Sequence, residues 1–312
     1  MIWDRLRKMN QYELAENVRG FKSLNVNFYI IGEPGAGNPW TIIDTGISGS
    51  GKKIIKEAAS LFGKDNPPKA VLLTHGHFDH VGGIPDLLKV WPDLKVYAHP
   101  MELPYLTGTS NFPPPETVDT SVAMAYLLQL YSGKHLNLKD HVLPLPDAWV
   151  PGLEEWRYIH TPGVSPGHVS FFRPKDNLLI AGDLISSRKQ KNALLDWGSS
   201  TLEIQGPPAH YAINKSRICS SLIKIHALNP VTAGVGQGPP VSESILQNGL
   251  SRLINLFEIE KIKEEHLYTT YNTSQPPAVD KEPVFNRITK AASFVSLLAV
   301  GAGLGYYLGR RK

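Results

Sequence analysis

Four side chains able to ligate a metal ion, His75, His77, Asp79 and His80, fall within the run Thr74-His-Gly-His-Phe-Asp-His-Val-Gly-Gly83. The chain holds 11 histidines in 312 residues, so this density is local and does not follow from composition. The run directly follows the apolar segment Ala70-Val-Leu-Leu73, which reads as a strand. A strand that ends in a loop carrying imidazoles two apart can aim both at one cation. Asp79 and His80, just beyond, are placed to serve a second one. The spacing therefore predicts a metal-site loop.

Such a site needs further ligands delivered from other strand ends. Upstream, Thr41-Ile-Ile-Asp44-Thr-Gly46 is an apolar strand closed by an acid and a turn glycine. Downstream, Thr161-Pro-Gly-Val-Ser-Pro-Gly-His168 carries a histidine into the strand Val169-Ser-Phe-Phe172, and Leu178-Leu-Ile-Ala-Gly182-Asp183 ends in a carboxylate. Singly, an acid after a strand is an ordinary turn or cap residue. In this order beside the histidine loop, the residues read together as one constellation.

With these motifs the chain resembles the metallo-β-lactamase-fold hydrolases, the superfamily that includes glyoxalase II and the lactonases. The resemblance runs from roughly Asn25 to Val241, with five motifs in the family's order. Trp156-Arg-Tyr-Ile-His-Thr-Pro-Gly163 and Gly206-Pro-Pro-Ala209 are similar to a group of bacterial-type hydrolases within it. It implies an αββα four-layer sandwich. It also implies that His75, His77 and His168 hold a first metal, that Asp79 and His80 serve a second, and that Asp183 bridges the two. Asp44 matches an acid that orients the ligand loops without binding metal. One position departs from the pattern. Where the family closes its second site with a histidine in a Gly-His-Gly turn, this chain reads Gly236-Gln237-Gly238. A glutamine carbonyl is a weak, neutral ligand, so the second site is expected to be weaker, water-filled or selective for a harder ion. His226, on a predicted helix, and His210 are considered as substitutes, and both read better as ordinary residues.

The chemistry follows from the donor set. A cation held by three neutral imidazoles keeps its charge and lowers the pKa of bound water toward about 7. The expectation is a metal-dependent hydrolase whose metal-bound hydroxide cleaves an ester, lactone or thioester. Asp79 is the carboxylate expected to orient the water and to pass a proton to the leaving group. Zinc is the expected metal, one or two per chain, with manganese or iron as alternatives. Two other readings stand beside this one: a non-catalytic descendant that only binds a ligand, which Gln237 favours, and an iron-dependent oxidoreductase on the same scaffold. Cys219, the single cysteine, sits in a helical stretch and reads as a core residue.

The elements that must position these residues are legible as short apolar runs. Strands are predicted at 25–31, 40–44, 70–74, 94–98, 157–161, 169–173, 178–181 and 231–233, and helices at 52–62, 84–91, 214–228 and 242–266. Alternating strands and helices fit a layered α/β domain over residues 1–267. Within it, residues 101–150 read as an insert whose helix, Ser121–Tyr131, is expected to be either a substrate lid or core packing. Residues 268–283 are a polar linker. In the tail, residues 284–312, the uncharged stretch Ala291–Gly309 would span about 28 Å as a helix, enough for one membrane span. Gly301, Gly305 and Gly309 would give that helix a self-association face. The tail's five basic residues and absence of acids leave residues 1–283 near neutral, which argues against a nucleic-acid surface and leaves a small-molecule substrate as the expected partner. No secretory signal is read at the N-terminus, so the catalytic domain is expected on the cytoplasmic side of a membrane, with a soluble cytoplasmic protein as the alternative.

Overall fold

Burial along the central strands sets the architecture. The computed structural model describes residues 11–113, 137–187, 202–208 and 211–271. In β3 (Val26–Ile31) all six side chains are buried, so both faces of its sheet are covered. Phe28 and Ile30 point into one apolar cluster, Tyr29 and Ile31 into another. The same period of two divides β4 (Thr41–Ile43), where Ile42 faces out and Ile43 in, and β5 (Val71–Leu72), where Val71 faces out and Leu72 in.

The first sheet runs in chain order through β1 (Gln11–Ala15), β2 (Val18–Ser23), β3, β4, β5, β6 (Val96–Ala98) and β7 (Val142–Pro144). The first four strands are antiparallel, and β4 to β7 run parallel. The second sheet has the order β12 (Val241–Ser242), β11 (Thr232–Gly234), β10 (Leu178–Ile180), β9 (Val169–Arg173) and β8 (Arg157–His160). Helices α1 (Gly51–Phe62) and α3 (Ile84–Val90), with the single turn α2 (Phe78–Val81), cover the outer face of the first sheet through Ile54, Ala58, Phe62, Ile84 and Leu87. A single turn α4 (Leu103–Leu106) follows β6. Helices α5 (Lys215–Ala227) and α6 (Glu243–Tyr271) cover the second sheet, with Ile218, Leu222 and Ile225 on one and Leu246, Leu250 and Leu253 on the other. Between the sheets lie Val18, Tyr29, Ile43, Leu72, Val169, Phe171 and Ile180. This is the expected αββα sandwich.

The topology gathers the candidate ligands at one rim. Because β4, β5 and β6 are parallel, Asp44, the histidine loop and Glu102 all follow carboxyl ends on the same side. In the second sheet β9 is antiparallel to β10, so His168, which enters β9, and Asp183, which leaves β10, meet at one end. β11 is parallel to β10 and delivers the Gly236–Gly238 turn to that end too.

Observed elements follow the predicted ones closely, and Asn214 caps α5 with its side-chain oxygen accepting from Arg217 N–H at 2.8 Å. Four strands were not anticipated: β1, β2, β7 and β12. Val142–Pro144, inside the stretch read as an insert, is the seventh strand of the first sheet, and its proline is tolerated at the edge. The helix expected at Ser121–Tyr131, His210, and the tail from 284 onward lie outside the described residues. Among the described residues no helix is long and apolar enough to cross a membrane.

Candidate metal centre

The site is built on a left-handed turn. Asp44, at φ +58°, leaves β4 in a conformation that L-residues seldom adopt, and its carboxylate thereby turns back over the neighbouring strand end. Its Oδ1 accepts from Thr74 N–H at 2.8 Å, and its Oδ2 from Thr74 Oγ1–H at 2.7 Å and from His80 Nδ1–H at 2.8 Å. The Thr74 hydroxyl proton is thus committed to Asp44. Its oxygen therefore accepts from His75 Nδ1–H, 3.0 Å away. At His168, Nδ1–H donates to the Thr161 carbonyl at 3.1 Å, with Thr161 Oγ1 at 2.9 Å. In all three imidazoles the Nδ1 proton is held by an outer partner. At His75 and His168 this leaves the Nε2 lone pair facing inward, as a metal ligand needs, and at His80 it leaves Nε2 as the inward atom, able to ligate once its proton is lost.

These inward atoms converge. Ligand atoms of His75, His80 and Asp183 lie within 4.8 Å of one another, all buried. The His75 ring centroid is 4.4 Å from that of His77, 4.2 Å from His80 and 5.1 Å from His168. His80 Nε2 faces Asp183 Oδ1 at 3.2 Å. His75 Nε2, His168 Nε2, Asp79 Oδ1 and Asp183 Oδ2 are buried with no hydrogen-bond partner among the described residues. Leaving so many polar atoms unsatisfied would cost about 1–3 kcal/mol each. A divalent cation among them removes that cost, so the donor set fits one.

Titration of the metal-free cluster points the same way. Burial, reinforced by the neighbouring imidazoles, pushes His75 well below the ordinary histidine range, and burial takes His168 down to about 3. Burial opposes charge on His80 too, but the Asp183 and Asp44 carboxylates outweigh it and hold His80 well above that range. Asp79 is raised to about 6, chiefly by burial. Asp183 is lowered despite its burial, because His80, His77 and His168 face it. The site therefore sets two neutral imidazoles, His75 and His168, beside a charged His80 that the Asp44 and Asp183 carboxylates hold.

Each sequence-predicted residue lies at this rim. Asp79 and His80 ride on α2, with His77 at its N-terminal cap position. Asp183 sits in the 3-10 turn Gly182–Leu184. Gln237 lies in a turn fixed from both sheets. Ser187 N–H donates to its carbonyl at 3.0 Å, and Asn27 donates from its backbone to Gly236 O and from its side chain to Val235 O and Gly238 O. Gly236 abuts the Asp183 carboxylate directly, since a Cβ there would stand 1.8 Å from Asp183 Oδ1. His226, by contrast, is on α5 against α6, with Nε2 3.1 Å from Ser251 Oγ, and plays the ordinary helix role expected of it.

Several contributors had no sequence signal. Tyr211 donates its hydroxyl to Asp79 Oδ2 at 3.3 Å and lies against the His77 ring at 4.5 Å. Phe112 meets the His77 ring edge-on at 4.8 Å and stacks on Tyr105 at 4.2 Å. Thr74 and Thr161 could have been found, because each pairs with a histidine at a strand end; Tyr211 belongs to no motif that would mark it.

Comparison with known proteins agrees with the geometry. The profile described as Metallo-beta-lactamase superfamily matches residues 22–223. A Bacillus subtilis (strain 168) protein called probable metallo-hydrolase YflN is 36% identical over 245 residues, 78% of this chain and 92% of its own length. A hydroxyacylglutathione hydrolase of Xylella fastidiosa (strain M12) is 35% identical over 120 residues, 38% of this chain but only 33% of that enzyme. Among solved structures, the metallo-beta-lactamase family protein TTHA1429 from Thermus thermophilus superposes with a TM-score of 0.52 at 20% identity, covering 80% of each chain, a likeness of fold alone.

Proposed function

Because this chain is a metallo-hydrolase belonging to the metallo-beta-lactamase superfamily, we propose that it cleaves an ester, lactone or thioester at the rim described above, with zinc as its metal. The observation that carries the reading is the convergence of buried ligand atoms of His75 and His80 on the Asp183 carboxylate, with the buried His168 ring 5.1 Å from that of His75. His75, His77 and His168 would hold one ion; Asp79, His80 and Asp183 would complete a second position. When bound, such an ion acidifies water and polarises a carbonyl. Asp79, hydrogen-bonded to Tyr211, is suited to accept a proton from the attacking water and return it to the leaving group. Asp44 fixes His80 and, through Thr74, His75. Tyr105, Phe112 and Tyr211 gather beside His77, which supports a substrate with an apolar portion next to the scissile bond.

Gln237 replaces an imidazole at the turn beside Asp183, so the second ion is bound more weakly than the first. For the remainder of the chain, residues 1–267 act as the hydrolase domain. Residues 291–309 anchor it to a membrane beyond the linker 268–283, a reading supported by their uncharged run between basic flanks. Recovery of the full chain entirely in the supernatant after ultracentrifugation of lysed cells would refute the anchor. For the activity, the zinc-loaded chain is assayed against matched panels of thioesters, lactones and aryl esters beside His77→Ala. Turnover that His77→Ala abolishes is expected in at least one panel. Turnover that persists unchanged in the variant would overturn the reading.

A further inference from the structure

Among the described residues, Glu102 is the one fully buried acid that the proposed chemistry does not use, and it lies against the ligand loops. It closes the 3-10 turn Pro100–Glu102 that follows β6. Its Oε2 accepts from Gly76 N–H at 2.8 Å, and its Oε1 from Ser165 Oγ–H at 2.6 Å and Gly167 N–H at 2.7 Å. Gly76 stands between His75 and His77, and Gly167 immediately precedes His168. The three donors therefore belong to the two loops that carry these three histidines, and those loops come from different sheets.

The loops are shaped around this carboxylate. A Cβ at Gly167 would stand 2.9 Å from Glu102 Cγ and 2.9 Å from its backbone nitrogen. One at Gly76 would meet Glu102 Oε2 at 3.2 Å and Leu106 Cδ2 at 3.0 Å. Gly167 thus permits an approach that a side chain would obstruct, and Gly76 keeps its side of the carboxylate uncrowded. All three neighbours donate, so the site calls for an acceptor-only group, an ionised carboxylate. Burial pushes the Glu102 carboxyl up, and the hydrogen bonds from Ser165, Gly76 and Gly167 oppose that shift.

We infer that Glu102 is a positioning residue for the metal centre, a carboxylate clamp that fixes the spacing of His75 and His77 relative to His168 across the two sheets. The inference rests on the reading of these histidines as metal ligands. A glutamine at this position has one acceptor oxygen, and its NH2 group must face at least one of the three donors. One loop is then released while the side-chain volume is kept. Aspartate is one methylene short of spanning both loops. Outer partners of metal ligands typically change affinity by about 10–100-fold.

The test uses the full chain, stripped of metal and titrated with zinc against a chelator of known affinity, and with cobalt(II) followed by its visible absorption. Thermal unfolding of the metal-free proteins reports fold alone. Glu102→Gln is expected to bind zinc about 10–100-fold more weakly than wild type and to alter the cobalt spectrum. Ser165→Ala, which removes one donor and leaves the carboxylate, is expected to weaken zinc binding in the same direction by a smaller factor. Should Glu102→Gln fail to fold, Ser165→Ala carries the test, and wild-type affinity in that variant refutes the clamp. A folded Glu102→Gln with wild-type zinc affinity and cobalt spectrum likewise refutes it. If the wild type itself binds no metal, the underlying reading of the site falls and the clamp falls with it.

Discussion

Gly236→Ala should empty the metal centre without unfolding the protein. The added Cβ would stand 1.8 Å from Asp183 Oδ1, and real contacts of this kind do not fall below 3.0 Å, so the two must separate by at least about 1.2 Å. The backbone cannot supply that movement cheaply. Gly236 N–H is held by Gly182 O at 2.7 Å, and Gly236 O by Asn27 N–H at 2.8 Å. The carboxylate is the part that gives way. Metal–ligand distances tolerate only about 0.2 Å, so on the proposed reading a displaced Asp183 would no longer hold the ion. Zinc affinity is expected to fall by at least about 100-fold, beyond the usual effect of an outer partner. The metal-free protein should lose about 1–3 kcal/mol from overpacking, a few degrees in Tm. Chelator competition measures the first quantity and thermal unfolding the second. Gly249→Ala is the control, because its Cβ would crowd Ile204, away from the rim, at 2.7 Å; it should cost stability and leave zinc affinity intact. Zinc affinity of Gly236→Ala within about threefold of wild type would refute the placement of Asp183 as a ligand.

Further expectations follow from the same geometry. Asp44→Asn sets an amide NH2 against either Thr74 N–H or the His80 edge. If it meets His80, the imidazole proton moves to Nε2 and blocks the ligand atom, so zinc affinity should fall about 10–100-fold; unchanged affinity by calorimetry would contradict that. In the metal-free protein at pH 7 His80 is held protonated by Asp183 and Asp44 against the cost of its burial, and its Nε2 must shed that proton before it can ligate. Zinc binding should release about one proton from this group, and affinity should rise with pH until its raised pKa is passed; an affinity flat in pH above 7 would show otherwise. Arg173, buried in the second sheet, donates to both oxygens of Asp176 and to Asn17 Oδ1 and lies over the Trp156 ring. Arg173→Leu should lower stability by about 2–3 kcal/mol, discounted because Asp176 is partly exposed, with zinc affinity preserved; no change in the denaturant midpoint would refute this.

The sandwich was legible because its central strands are short apolar runs with ligand-type residues at their ends. Ile42-Ile43, Val71-Leu72 and Leu178-Leu-Ile180 are buried on both faces, so they read as continuous hydrophobic runs. β1 and β2 escaped because Glu13, Arg19 and Lys22 interrupt them, and their pairing is set by the hairpin and by contact with β3. β7 was hidden in a proline-bearing stretch. At the site, residues local to the histidine loop were readable from spacing, since a loop of six residues constrains its own ligands. Glu102, Tyr211 and Asn27 were not, because each reaches the centre only through tertiary contact across 26 or more residues. Their chemistry is ordinary in sequence and acquires meaning from parallel strands that end on one rim.

The most direct test of the account is the metal content of the purified full chain, measured by plasma mass spectrometry after zinc loading and dialysis, beside Gln237→His. One zinc retained per wild-type chain and two per variant chain is the predicted result, with the glutamine turn weakening the second position. Two in both would overturn the weak second site while leaving the hydrolase reading in place. No zinc in either would contradict the central claim that these histidines and acids form a metal centre.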